Sequence, residues 1–210
     1  MQRCFYLFFK VLFKIVFRFL FCLEVRGVEN VPKKGGVIVA ANHISYLDPP
    51  VIGVALRRQA TYMAREGLFK IPLLRNFVAA FSFPVKRGRP RPSTIKEAVH
   101  RLKRGELIVM FPEGGRSENG RFLDPKRGVG LIATMSGAPV VPALIRGTER
   151  AFPVGARFIR PAKIRVVFGK PIMIESPGEA EKDFQERVAQ DIMKAITKLD
   201  SEQEYTKWRS

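Results

Sequence analysis

Cysteine and histidine are scarce in this 210-residue chain, with two of each, and tryptophan occurs once. Cys4 and Cys22 both lie in the apolar amino-terminal stretch, so nothing resembles a disulfide framework. Two Cys and two His are also a poor set for a structural zinc site, and no metal is expected. Acidic residues are few: 19 Asp and Glu stand against 37 Lys and Arg, a net charge of +18. Small soluble domains usually carry about 2–8 net charges, so broad positive surfaces and an anionic partner are expected here. Acidic lipid headgroups, an acidic carrier protein and nucleic acid all qualify. The chain lacks internal repeats, low-complexity runs and an interdomain linker. Its hydrophobic content of 46% is that of a globular protein, and its length suits one domain with a real core.

A long uninterrupted apolar run is missing too. The leader MQRCFYLFFKVLFKIVFRFLFCL is rich in Phe but broken by cations. At 100° per residue, Arg3, Lys10, Lys14 and Arg18 form one narrow helical stripe, and Phe5, Phe9, Leu12, Val16, Phe19 and Leu23 face away from it. No uninterrupted apolar stretch with a small-residue cleavage site is present, which argues against a signal peptide. A spanning helix would carry Lys10 and Lys14 near the membrane centre, at about 2.5–3.5 kcal/mol each. Two readings remain: a helix lying in the interface, with Phe in the acyl region and cations at the headgroups, or a helix packed on the protein's own core. The first is the expectation adopted. It divides the chain into an interfacial helix over residues 1–23 and one domain over 24–210, held at the cytoplasmic face of a membrane.

Past Gly27 the pattern alternates. GGVIVAA, LIVMF, PVVPALI and KIRVVFG read as strands. DPPVIGVALRR reads as a helix with Asp48 at its N-cap and Pro49 at its first position. RPSTIKEAVHRLKRGE reads as another, with a capping box of Thr94 and Glu97 and a stop at Gly105. VGLIATMSG and the amphipathic tail GEAEKDFQERVAQDIMKAITKLD complete the helices. The expected fold is a layered α/β domain with a largely parallel sheet flanked by helices. Ligands in such folds bind beyond the carboxyl ends of the strands. The stretch REGLFKIPLLRNFVAAFSFPVKRGRPRP fits the alternation less well. It reads either as an apolar groove wall followed by an anion-binding loop, or as a core segment with a solvated basic turn.

Two strand ends carry the chemistry. His43 directly follows the strand Val37 to Ala41, and Asp48 lies five residues beyond it. Folded back by a turn, the carboxylate would orient the imidazole as a general base. The plain alternative is a helix cap beside a turn histidine. At the second strand end, LIVMFPEGGRSENG places Glu113 and Arg116 around Gly114 and Gly115. Glycines admit close backbone approach and Arg116 suits phosphate; a turn with a surface salt bridge is the alternative. His100 falls on the polar side of its helix and receives no role.

Taken together, NHISYLD, FPVKRG, FPEGGRS and VVPALI, in that order, resemble the glycerolipid acyltransferase family, and within it enzymes that acylate 1-acylglycerol 3-phosphate. The likeness covers about residues 35–150. It implies that His43 and Asp48 are catalytic, with His43 deprotonating the acceptor hydroxyl and Asp48 orienting it. It implies that Arg87 and Arg116 hold phosphate, that Glu113 meets the glycerol part, and that Gly114, Gly115 and Lys126 complete the substrate-binding set. It places Pro142 on the family's strand-associated proline. Two positions depart from the family pattern: Gly115 stands where Thr is usual, and Pro125 where Phe usually precedes Lys126.

The implied acceptor is lysophosphatidic acid and the implied donor acyl-CoA or an acidic acyl carrier protein, with phosphatidic acid as product and no metal or other cofactor. Leu68–Phe83 is the candidate for part of the acyl-chain groove. An anionic membrane surface is the expected partner and nucleic acid is not, because the Phe residues gather in the leader and apolar runs instead of interleaving with cations. A non-catalytic basic membrane-binding module would explain the leader but not His43, Asp48 and Glu113. A relative acting on glycerol 3-phosphate or another lysophospholipid would share all the motifs.

Overall fold

The computed structural model describes residues 15, 17, 19–85, 91–117, 120–174 and 182–201. Hydrophobic alternation organises it. Every residue of Val37–Ala41 is buried. Val37, Val39 and Ala41 join one apolar core, and Ile38 and Ala40 join a second. A strand whose two faces are both apolar belongs in the middle of a covered sheet.

Seven strands form that sheet: β1 (Glu24–Arg26), β2 (Val37–Ala41), β3 (Ala60–Arg65), β4 (Ser82–Val85), β5 (Leu107–Met110), β6 (Val140–Arg146) and β7 (Arg165–Phe168). Their order is β1-β7-β6-β2-β5-β3-β4. All neighbours run parallel except β6 and β7. The helices are α1 (Asp48–Ala55), α2 (Pro72–Phe81), α3 (Pro92–Lys103), α4 (Gly128–Ser136), the short α5 (Thr148–Ala151) and α6 (Lys182–Ser201). Apolar residues of α3, α4 and α6 pack on one face of the sheet. Those of α1 pack on the other, together with Phe17, Phe21, Ala151 and Ile164. The expected layered α/β fold is therefore present.

Three strands are additional to the sequence expectation. β1 is short, and β3 and β4 lie at the other edge, where most residues of β3 are only half-buried. Weak burial leaves weak alternation to read. Pro142 occupies a central strand, where its missing N–H would ordinarily cost a ladder bond. It sits where the pairing shifts by one residue, from Ala143 opposite Phe168 to Val140 opposite Ile172. There the Gly169 N–H donates to the Pro142 carbonyl (2.8 Å), and no return bond is needed.

Two helix starts differ from expectation. Asp48 is the first residue of α1 and Pro49 the second. The Asp48 carboxylate accepts N–H groups from the preceding loop, so it cannot cap the helix that follows. The capping box of α3 does not form, because the helix already begins at Pro92 and Glu97 accepts a bond from Arg101 instead.

Most of the leader lies outside the described residues, including Arg3, Lys10, Lys14 and Arg18. Its last turn is helical, with Phe17 and Phe21 buried in the core while Ile15, Phe19 and Leu20 are exposed. Among the described residues no helix is long and apolar enough to cross a membrane.

Candidate active site

The carboxyl ends of β2, β5 and β6 are adjacent and point the same way. Each delivers a polar residue within a few positions of its end: His43 after β2, Glu113 after β5 and Thr148 after β6.

Asp48 is fully buried. Its Oδ2 lies 2.8 Å from His43 Nδ1 and accepts the N–H groups of Ile44 and Ser45, each at 2.7 Å. Its Oδ1 accepts the hydroxyl of Thr148 at 2.6 Å. Charge-assisted bonds of this kind are short and strong. A carboxylate can only accept, so the proton of the His43–Asp48 contact sits on Nδ1. Nε2 is left with its lone pair and has no hydrogen-bond partner among the described residues.

The imidazole is also fixed from behind and below. It stacks on Phe111, with ring centroids 4.2 Å apart. Its backbone N–H donates to Glu113 Oε1 (2.7 Å) and its carbonyl accepts the Ser117 N–H (2.8 Å). Glu113 Oε2 accepts the Leu123 N–H (2.8 Å), so this nearly buried carboxylate ties the loop after β5 both to itself and to the loop after β2. Burial pushes the Glu113 carboxyl above the ordinary glutamate range, against the opposing effect of the two N–H donors.

Asn42 is buried beside His43. Its side-chain amide bonds the backbone of Ile145 in both directions, at 2.7 and 3.0 Å, locking the end of β2 to β6. Ser45 is buried and its hydroxyl donates to the Phe152 carbonyl (2.7 Å), which commits it to the turn.

Arg116 lies over the ring of Tyr46, its guanidinium carbon 3.3 Å from the centroid. Its Nη1 is buried without a hydrogen-bond partner among the described residues. A buried, unsatisfied donor on a guanidinium is a costly arrangement and suits an anionic ligand. Gly114 has φ +67°, and a Cβ there would sit 3.0 Å from Lys126 Cγ. Lys126 thus covers the glycine turn, tied by its N–H to the Pro112 carbonyl (2.8 Å). Gly115 faces open space and has no such requirement.

The assembled groups are an oriented imidazole with a ring nitrogen unpartnered among the described residues and a cation with an unused donor, set at the carboxyl edge of a largely parallel sheet. A profile of the acyltransferase family matches residues 22–146. The chain belongs to the acyltransferase family. A 1-acyl-sn-glycerol-3-phosphate acyltransferase of Bacillus subtilis is 34% identical over 152 residues, covering 71% of this chain and 73% of that protein. A chloroplastic 1-acyl-sn-glycerol-3-phosphate acyltransferase of Brassica napus is 32% identical over 154 residues, covering 71% of this chain and 44% of that longer protein. The crystal structure of the 1-acyl-sn-glycerophosphate acyltransferase PlsC from Thermotoga maritima superposes with a TM-score of 0.77 at 27% identity, covering 96% of this chain and 82% of that one. The protein is an O-acyltransferase.

Most of the residues singled out in the acyltransferase sequence come together. His43, Asp48 and Glu113 share one hydrogen-bonded network, and Gly114, Gly115, Arg116 and Lys126 form the adjoining turn. Arg87 lies outside the described residues. Thr148, Asn42 and Phe111 were not anticipated. Phe111 abuts the Pro-Glu-Gly block and was within reach of the motif. Thr148 is 100 positions from Asp48, and nothing local marks it. Among the described residues no group of three or more His, Cys, Asp or Glu side chains is arranged to hold a metal.

Proposed function

We propose that this acyltransferase moves a fatty acyl group from acyl-CoA or acyl carrier protein to the free hydroxyl of 1-acylglycerol 3-phosphate, forming phosphatidic acid. The observation that carries the reading is the saturation of Asp48, which holds His43 with Nε2 as its working atom. The names of the Bacillus and Thermotoga relatives support the acceptor.

His43 Nε2 takes the proton of the acceptor hydroxyl as its oxygen attacks the thioester carbonyl carbon. A tetrahedral oxyanion forms, then collapses with cleavage of the carbon–sulfur bond. The imidazolium returns the proton to the departing thiolate, so no acyl-enzyme is needed. Asp48 stabilises the imidazolium between the two steps. Arg116 grips the acceptor phosphate with the buried Nη1, and Arg87 joins it. Glu113 holds the His43 backbone through Oε1 and the Leu123 backbone through Oε2, and its remaining lone pairs serve the glycerol hydroxyl. Leu68–Phe83, which contains α2, forms part of the acyl groove.

The test is acyl transfer to lysophosphatidic acid on liposomes, with wild type beside His43→Ala. We expect the variant to lose about 10²–10⁴-fold in turnover while keeping its fold and its liposome binding. No transfer by folded wild type with either donor refutes the acceptor, and glycerol 3-phosphate and larger lysolipids are then tried. Equal turnover in both proteins refutes the His43 mechanism.

A further inference from the structure

We propose that the loop joining α5 to β7, FPVGARFIRPAK, is a second membrane-docking element that inserts Phe158 and Ile159 into an anionic lipid surface. Phe158 is 79% exposed and Ile159 50%. Isolated exposed apolar residues are ordinary. These two are adjacent, and they are flanked by exposed cations, Arg157 and Arg160, with Lys163 further along. That is the chemistry of an interfacial segment, where apolar side chains reach the acyl boundary and cations meet the phosphates above it.

The loop is held in place at both ends. Phe152 packs against the core at its start, and the Arg160 N–H donates to the Ala151 carbonyl (2.8 Å). At its end the buried Ile164 receives the Glu24 N–H (3.0 Å) and donates to the Phe21 carbonyl (2.9 Å). Two acidic groups beside its ends are engaged: Glu24 with Lys163 and Arg165, and Glu149 with Arg150 and the Gly147 N–H.

Topology places the loop with the leader and with the site. β7 runs antiparallel to β6, so it starts at the edge where β6 ends. β1 runs parallel to β7 and starts there too. The last turn of the leader, with Phe19 82% and Leu20 40% exposed, therefore ends at the same edge that carries His43. The root of the loop touches the His43 turn, since the Phe152 carbonyl accepts the Ser45 hydroxyl. Phe19 and Leu20 together with Phe158 and Ile159 form two apolar elements on one side, so a lipid acceptor meets the site from the surface to which both dock. This deepens the proposed function and rests on its acceptor being a membrane lipid.

The experiment uses the full chain with Phe158→Trp in a Trp208→Phe background. Vesicles of phosphatidylcholine with phosphatidylglycerol are prepared with and without bromine on the acyl chains. We expect the introduced indole to shift to the blue on binding and to be quenched at least about twofold by the brominated chains. Both effects should weaken in pure phosphatidylcholine and at high salt. Phe158→Ser with Ile159→Ser should weaken vesicle partitioning about tenfold, as two large side chains then have no apolar phase to enter. Its turnover on detergent-dispersed acceptor should stay within about twofold of wild type. An indole that keeps its aqueous emission while the chain sediments with vesicles overturns the proposal, as does a chain that does not sediment. So does a charge-reversed Arg157→Glu, Arg160→Glu variant that binds vesicles normally and fails only with acyl carrier protein, which would make the loop a protein contact. Absence of turnover in detergent by wild type counts against the acceptor alone, because the fluorescence reading does not depend on it.

Discussion

The two ends of the parallel sheet use the same residue types in opposite ways. At the amino end, Arg58 donates to the carbonyls of Pro32, Gly35 and Gly105 at 2.7–2.8 Å and ties three loops together. Arg101 is likewise matched by Glu97 and Glu106. At the carboxyl end, Asp48 and Glu113 are as fully engaged, but what they hold is left incomplete: His43 keeps Nε2 and Arg116 keeps a buried Nη1. The amino-end groups are half-buried, whereas Asp48 and Glu113 are buried. Among the described residues it is the carboxyl end that shows an open ring nitrogen and an unsatisfied guanidinium donor, which is what the proposed chemistry uses.

The sharpest way to break this contrast after His43 itself is Thr148→Val, which removes one donor from Asp48 without touching the imidazole. We expect turnover to fall about ten- to a hundredfold with the KM for acceptor little changed, since one bond to a buried charge is worth about 1.5–3 kcal/mol. Thr148→Ser should restore it. A shifted pH–rate profile in the Val variant would mark Thr148 as positioning the base, whereas a purely structural role would lower the melting temperature alone.

Next in size is Arg58→Ala at the opposite end. Thermal denaturation should show a loss of about 1–3 kcal/mol, with turnover per folded molecule within about twofold of wild type. A large loss of turnover would erase the distinction between the two ends.

The glycine pair gives a smaller effect of opposite signs. Gly114→Ala, forced to φ +67° and against Lys126, should destabilise by about 1 kcal/mol or more. Gly115→Ala meets nothing and should stabilise by about 0.4–1 kcal/mol through the unfolded chain. Gly115→Thr, the residue usual at this position in the family, should be accommodated as well. Denaturant titration of the variants decides.

The smallest signal is the pH dependence carried by Glu113. Its carboxyl is raised in the fold, so its contribution is complete below the unfolded value of about 4.3 and declines as pH rises through the higher folded value. The stability of wild type relative to Glu113→Gln should therefore be greatest in acid and fall toward neutrality. A wild type that gains stability relative to the variant with rising pH would refute the burial argument.

Legibility followed burial and distance along the chain. The central strands β2, β5 and β6 were readable because their residues are almost all buried and apolar. β3 and β4 were hidden in a stretch of half-buried residues. In the site, the meeting of His43 and Asp48 was readable because they lie five positions apart in the chain. The role given to Asp48 at the helix start was not correct, because its oxygens turn back to Ile44 and Ser45. Thr148 was invisible, since its contact depends on β6 lying next to β2.

The sequence by itself determined the α/β alternation, the surplus of positive charge and the residue types at each strand end, because periodicity, charge and turn chemistry are local properties. The tertiary structure alone decided that three strand ends converge and that Asp48 is saturated from 100 positions away. It also put the loop after α5 on the same edge as the leader and His43. Parallel pairing carries each strand's carboxyl end to a common edge, and which residues meet there depends on strand order, a property no short stretch of the chain contains.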